Sequence, residues 1–367
     1  MKKNFLLALS TTFIALVIVE AFLQIKYYRP KTFEEPKTNW AIVPERTWTE
    51  YHPVLGWYHQ KNKKAFLKKN KNTINVEINT NSLGLRGKRD YAKEKPNGIV
   101  RILVLGDSFA FGWGVKDEET FPAVWEARHQ NIEVPNLSVA GYGIDQMLMG
   151  YRTIGKDLKP DYVLISIFPE DFWRATRAFA DTGHAKPYFS ISRESKLILH
   201  NVPTPPKFSL RYNQFPDLIE YNYLENFLLK SQLYRLLKRF VLAFAKRFGL
   251  VDCDSTIEWM VGRAILSKLI GEIREMNAVP LILIVPPETW LREDKATSLQ
   301  KSMMKVGKRK NVAVIDLTPF FVQAAKEHGL NRYYLEQDHH WSAEGHKLVA
   351  DFTENKWPII FRKIQQT

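Results

Sequence analysis

The period of the apolar positions changes several times along the chain, and each change marks an element. Residues 5–25, FLLALSTTFIALVIVEAFLQI, are apolar on every side and hold one charge, Glu20, which predicts a continuous, non-amphipathic helix. As a helix this stretch is about 31 Å long, the thickness of a bilayer core, so it reads as a transmembrane anchor or a signal peptide. Lys2 and Lys3 precede it, and its best small-residue cleavage site, Val19-Glu20-Ala21, is poor, which favours an uncleaved anchor over residues 1–26. A short N-terminal tail suggests a single-pass protein of the cytoplasmic membrane with its body outside. The positive-inside rule adds little, because Lys26, Arg29 and Lys31 balance the two leading lysines.

Residues 27–60 hold Pro, Trp and Tyr without periodicity and read as a linker lying against a surface. Alternation at Asn75-Val76-Glu77-Ile78-Asn79, followed by turn chemistry at Asn81-Ser82-Leu83-Gly84, predicts a small β element that completes an accessory region over 27–98. From Ile99 the pattern changes to buried strands alternating with helices. Residues 99–105 form an apolar run broken only by Arg101; a helix is expected at about 120–130, a strand at 133–139, a helix from Asp145, and strands at 162–168, 280–285 and 312–317. Such alternation implies an α/β domain over 99–363, with a parallel sheet covered on both faces.

The alternation stops between about 174 and 256, which reads as an insertion. It contains Pro203, Pro205 and Pro206 and a basic amphipathic segment, 233–250, whose apolar face includes Leu236, Leu237, Phe240, Val241 and Phe244. The segment suits a cap over a site, a membrane-surface helix, or a helix packed on the domain with a solvated basic face. No internal repeat or low-complexity tract is present.

Composition changes this picture only at the edges. A net charge of +14 admits nucleic acid, anionic glycan or lipid headgroups as partners. The densest basic run, KNKKAFLKKNKN at 61–72, comes without zinc-finger spacing, an RNP-like aromatic motif or basic heptads, so no nucleic-acid partner is expected. The single cysteine, Cys253, rules out an intrachain disulfide and a multi-cysteine metal site, and reads as a buried, inert thiol.

The chemistry starts where doubly wound sheets bind ligands, beyond the carboxyl ends of their strands. Ser108 follows the 99–105 strand directly, in Gly106-Asp107-Ser108; by itself this is also an ordinary turn with a helix cap. A nucleophilic hydroxyl needs a base, and the base an orienting acceptor. Near the other end of the domain, Glu336-Gln337-Asp338-His339-His340-Trp341 places Asp338 and His340 two apart, so that in an extended loop both side chains project to one side. His339, His340 and His346 are also candidate metal ligands, but no second acidic cluster of the kind a dimetal centre requires accompanies them. An α/β-hydrolase elbow would need glycine where Ala110 stands, and normally separates its acid and histidine in sequence.

Four segments in order resemble the blocks of the SGNH (GDSL-like) hydrolases. They are Gly106-Asp107-Ser108-Phe109, Asn136-Leu137-Ser138-Val139-Ala140-Gly141-Tyr142-Gly143, Phe168-Pro169-Glu170-Asp171, and Asp338-His339-His340-Trp341 with Gly345-His346. The resemblance implies a flavodoxin-like three-layer sandwich and a triad of Ser108, His340 and Asp338. It also implies an oxyanion hole made by Ser108, Gly141 and position 170, and no metal or organic cofactor. The Asp-x-His-Trp form resembles relatives that add or remove acetyl groups on exported polysaccharides. The expected function is therefore a serine-dependent O-acyl, chiefly acetyl, ester hydrolase or acyltransferase acting on an exported carbohydrate or lipid ester. A non-catalytic polysaccharide assembly or binding protein on the same scaffold is the alternative. What favours that alternative is Glu170, standing where the family's asparagine donates through its amide. A carboxylate cannot donate and opposes an oxyanion, so Glu170 is held neutral, or the hole uses backbone donors alone, or activity is reduced.

Overall fold

The computed structural model describes residues 2–27, 47–69, 74–180, 184–206, 227–228, 231–247, 256–292, 297–336 and 338–365. The linker over 28–46, Cys253 and the end of the basic segment beyond Arg247 lie outside the described residues.

The chain opens with one helix, α1 (Lys2–Tyr27). Its described side chains begin at Ser10, and among the described residues no helix is long and apolar enough to cross a membrane. Two antiparallel hairpins follow: β1 (Thr49–His52) with β2 (Gly56–His59), and β3 (Lys64–Lys69) with β4 (Ile74–Asn79). The part of the expected linker that is described, 47–60, is thus largely a hairpin.

The α/β portion runs β5 (Val100–Leu105), α2 (Ser108–Phe111), α3 (Phe121–Ala127), β6 (Ile132–Glu133), α4 (Ile144–Thr153), β7 (Tyr162–Ile167) and α5 (Glu170–Arg174). It continues through β8 (Tyr188–Ile191) and β9 (Leu197–His200), which pair as a hairpin, then α6 (Gln232–Arg247), α7 (Ile257–Glu275) and β10 (Val279–Ile284). The last elements are α8 (Ser298–Lys310), β11 (Ala313–Asp316), α9 (Thr318–His328) and α10 (Ala343–Gln365). Five strands pair in parallel in the order β11-β10-β7-β5-β6, so the chain starts near one edge, steps outward once and then crosses β5 to build the rest. That reversal between β5 and β7 is the topological switch point of a flavodoxin-like sheet.

Alternate residues of each strand point to opposite faces, and the core divides accordingly. Leu103, Leu105, Val163, Ile165, Ile282 and Ile284 pack with α4, α7 and α8, whereas Ile102, Val104, Leu164, Leu281, Leu283 and Ile315 pack with α3, α9 and α10. The strand expected at 133–139 is only two residues long. Pro135 brings no N–H to a ladder, and beyond it only Asn136 bridges Val104. Arg101, the one charge in β5, is fully buried and donates through Nε to Glu133 of β6 at 2.7 Å, which pairs the two charges inside the sheet. Past α5, the buried Lys186 ammonium donates to Asp145 of α4 and to the carbonyls of Arg174 and Arg177, tying the start of the expected insertion to the main domain.

Candidate active site

Gly106 ends β5 at a point of close approach. A Cβ there would lie 2.7 Å from Ala110 Cβ and 3.1 Å from Ser166 Cβ, so a larger residue would push the turn off the sheet. Asp107 then caps α2: its carboxylate accepts from the Phe109 N–H at 3.0 Å, and Ser108 becomes the first helical residue. Ser108 therefore sits beyond the carboxyl end of β5 and beside the switch point, with its backbone N–H among those a helix start leaves unbonded.

The second part comes from the loop before α10. An antiparallel bridge between Tyr334 and Trp341 closes it, with Leu335 N–H donating to the His340 carbonyl at 2.7 Å and Ser342 N–H to the Tyr333 carbonyl at 2.9 Å. Trp341, fully buried, anchors the loop against Phe109 and Phe321 at 5.2 and 5.5 Å between ring centres. The loop is a tight turn rather than the extended segment expected: His339 takes a left-handed conformation, φ 65°. Asp338 and His340 still meet. His340 Nδ1 is hydrogen-bonded to Asp338 Oδ1, and His340 Nε2 lies 2.7 Å from Ser108 Oγ. With the Nδ1–H directed at the carboxylate, the Nε2 lone pair faces the hydroxyl and accepts its proton. The rings of Phe109 and Trp113 lie 4.8 and 6.0 Å from the imidazole and hold its plane.

The other two histidines of this segment do different things. His339 points outward, 71% exposed, and its Nδ1 pairs with Glu288 at 2.6 Å. His346 is buried; its Nδ1 accepts from the Phe121 N–H at 3.2 Å, capping α3. Burial, with help from Arg86 and His340, pushes its imidazole down to about 3, so it stays neutral. Among the described residues, no group of three or more His, Cys, Asp and Glu side chains is placed to hold a metal ion.

Gly141 lies in the turn after 136–140 with φ 84°, a conformation that favours glycine. The N–H groups of Ser108 and Gly141 donate to no protein group among the described residues. Glu170 opens α5, and its carboxylate turns toward Arg174, accepting from Nη2 at 2.9 Å with more than half its surface in solvent. Pairing with a guanidinium leaves it the role of acceptor, not donor.

Arg174 is the residue that motif reading passes over. Its Nη1 donates to Asp107 at 2.9 Å, to Asp171 at 3.0 Å and to the Tyr142 carbonyl at 3.3 Å, joining the serine turn, the Gly141 turn and α5. Burial works against the charged guanidinium, yet Asp107, Asp171 and Glu170 raise it above its ordinary value. The fully buried Asp171 carboxyl is pushed up well above the usual carboxylate range by burial and by Asp107, with Arg174 opposing. Its spacing of three and four residues from Asp171 and Glu170 is a helical pairing signal visible in the chain.

The accessory hairpins form one wall of this site. Trp48, Leu67 and Ile78 pack on Phe111, Trp113 and Ala140, while Trp57 Nε1 donates to the Ala140 carbonyl at 3.3 Å and Tyr142 Oη to the Trp57 carbonyl at 2.5 Å.

A family model described as GDSL-like lipase/acylhydrolase matches residues 104–348, more than half of the chain. The chain belongs to that family. Its segment spans the serine turn, Gly141, α5 and the Asp338/His340 loop. Among solved structures, the acetylxylan esterase Axe2 of Geobacillus stearothermophilus is similar at 15% identity and a TM-score of 0.40, covering 70% of this chain and 93% of its own. The esterase EstA of a Pseudoalteromonas species is similar at 14% identity and a TM-score of 0.38, covering 73% and 99%. A lipolytic G-D-S-L protein of Veillonella parvula is similar at 11% identity and a TM-score of 0.38, covering 70% and 97%. No curated protein matches the chain significantly. Family membership makes this GDSL-like protein one of a group of acyl-ester hydrolases.

Proposed function

We propose that this GDSL-like protein is a serine-dependent O-acyl ester hydrolase or acyltransferase whose favoured acyl group is acetyl. The observation that carries the reading is the continuous chain from Ser108 Oγ through His340 to Asp338. In the first half-reaction Ser108 Oγ bonds to the ester carbonyl carbon while His340 Nε2 takes the hydroxyl proton. Asp338 keeps the imidazole in the tautomer that can do so and stabilises its charged form. The Ser108 and Gly141 N–H groups, free of protein acceptors among the described residues, serve the carbonyl oxygen as negative charge develops on it. Collapse breaks the bond to the leaving alkoxy oxygen, which takes the proton back from His340 and leaves an acyl-Ser108 ester. Water then regenerates the serine in a hydrolase, and a sugar hydroxyl does so in a transferase.

Crowding of the imidazole by Phe109 and Trp113 suits a short acyl group, and the Asp-x-His-Trp form points the same way. The acyl carrier in this reading is an exported carbohydrate or lipid ester. Residues 5–25 act as an uncleaved anchor in the cytoplasmic membrane, with the domain on its outer side. The test is release of acetate from p-nitrophenyl acetate and from an acetylated oligosaccharide by the full-length protein, with a free oligosaccharide as competing acceptor. Acetate release lost in Ser108→Ala is the expected result; an unchanged rate in that variant overturns the reading. Acetyl appearing on the acceptor identifies a transferase.

A second reading, an assembly or binding protein on a decayed hydrolase scaffold, is favoured by Glu170, an acceptor held by Arg174 where the family's donor stands. It requires that acetate release be absent from the native chain and that oligosaccharide binding survive in Ser108→Ala.

A further inference from the structure

α6 is strongly two-sided. Advancing 100° per residue, Leu236, Leu237, Phe240, Val241 and Phe244 fall within an arc of about 140°, while Arg235 and Lys238 fall within about 60° on the opposite side. The helix carries no acidic residue. Among the described residues all five apolar side chains are exposed, Phe240 to 73%.

The first turn of α6 is bound to the anchor helix. Glu20, the one charge in the 5–25 run, accepts from Gln232 N–H at 2.9 Å, Leu233 N–H at 2.8 Å and Ser231 Oγ at 2.9 Å, and Gln24 Nε2 donates to it at 2.6 Å. A carboxylate among apolar residues needs such partners, and an anion at a helix start is favourably placed. Glu20 precedes the end of the apolar run by five residues, about 7.5 Å along a helix axis. Interfacial helices bury their apolar face to about the same depth, 5–10 Å below the headgroups. The exposed apolar residues of α1 near that level, Val19 and Phe22, extend the uncovered surface.

We propose that α6 lies on an anionic lipid surface, its apolar face in the acyl boundary, its basic residues at the headgroups and its first turn fixed by Glu20. This rests on the anchor reading of residues 5–25, and it goes beyond that reading by giving the membrane a second, peripheral contact. Charge complementarity selects anionic lipid: five basic residues and no acid on one helix repel a basic partner, including a second copy of this +14 chain. Cleavage after Ala21 would separate Glu20 from the chain whose helix it caps.

The test uses full-length protein with Cys253→Ser, reconstituted in phosphatidylcholine vesicles with and without phosphatidylglycerol. Single cysteines at Leu237, Phe240, Phe244, Lys238 and Val17 carry a fluorophore, and quenchers sit on the lipid chains. Labels at Leu237, Phe240 and Phe244 should be quenched several-fold more than the label at Lys238, with the contrast increased by phosphatidylglycerol. Equal quenching at Phe240 and Lys238 beside strong quenching at Val17 overturns the α6 proposal and leaves the anchor standing. An unquenched Val17 with a quenched Phe240 removes the anchor and keeps the lipid contact. If neither is quenched, both fall, and cross-linking of Phe240→Cys between copies in place of quenching identifies a protein contact instead.

Discussion

Lowering the pH from 8 to 5 should weaken the fold through one buried side chain, His346. In the unfolded chain its imidazole titrates near the ordinary value of 6.5, and in the folded chain burial pushes it down to about 3. A depressed value means that the stabilisation is present above about 6.5 and is lost as the pH falls toward about 3. At pH 5 the unfolded state binds a proton that the folded state refuses, and integrating that difference from pH 8 gives about 2 kcal/mol. For a domain of this size this corresponds to roughly 4–8 °C in Tm. Asparagine places an amide oxygen near the position of Nδ1, where it can accept the same Phe121 N–H at α3, and it does not titrate. His346→Asn lowers stability at both pH values by its lost volume, a change that cancels in the comparison between them. Thermal unfolding of both proteins at pH 8 and pH 5 should show the native chain losing about 2 kcal/mol more than the variant on acidification. An identical decrement in the two proteins would refute the claim that His346 is held neutral.

Three substitutions probe the site itself. Asp338→Asn should lower kcat for acetyl esters by up to ~10⁴-fold with the fold intact, because the amide supports the wrong imidazole tautomer; a loss under tenfold would remove Asp338 from the relay. Arg174→Met leaves Asp107 and Asp171 buried together without their shared cation, so it should destabilise the domain by about 3–5 kcal/mol and depress kcat, with partial recovery in Arg174→Lys. Unchanged melting and kcat in the methionine variant would contradict the joining role. Glu170→Asn should alter kcat only a few-fold, since the native side chain faces Arg174 and solvent; a gain of ~10² or more would place position 170 in the oxyanion hole.

Much of this arrangement is visible in the chain because its signals are local. The apolar runs at 100–105, 162–167 and 279–284 become strands buried on both faces, and the alternation with helices becomes a parallel sheet. The place of Ser108 after a strand and the spacing of Asp338 and His340 mark them as candidates, and the four-block resemblance implies that they form a triad; the structure brings the three into hydrogen-bonding contact. Other features depend on direction and tertiary partners. Residue type alone identified Glu170 as a departure, but not that its carboxylate turns to Arg174. Nothing local distinguishes Arg174 joining three segments from an ordinary solvated helix arginine. The shortness of β6 follows from Pro135, a signal present in the sequence and outweighed by the surrounding apolar residues. Three neighbouring histidines look alike as letters, yet one faces Ser108, one faces Glu288 and one, inside α10, caps α3.

The most direct test of the central claim is covalent labelling of the full-length native protein with a fluorophosphonate, read by peptide mass spectrometry. A phosphonyl adduct should form on Ser108, with none in Ser108→Ala and a labelling rate at least ~10³-fold lower in His340→Ala, as expected when the relay that activates the hydroxyl is broken. Folded protein that releases acetate from esters while Ser108 remains unmodified, or that carries the adduct on another residue, would contradict it.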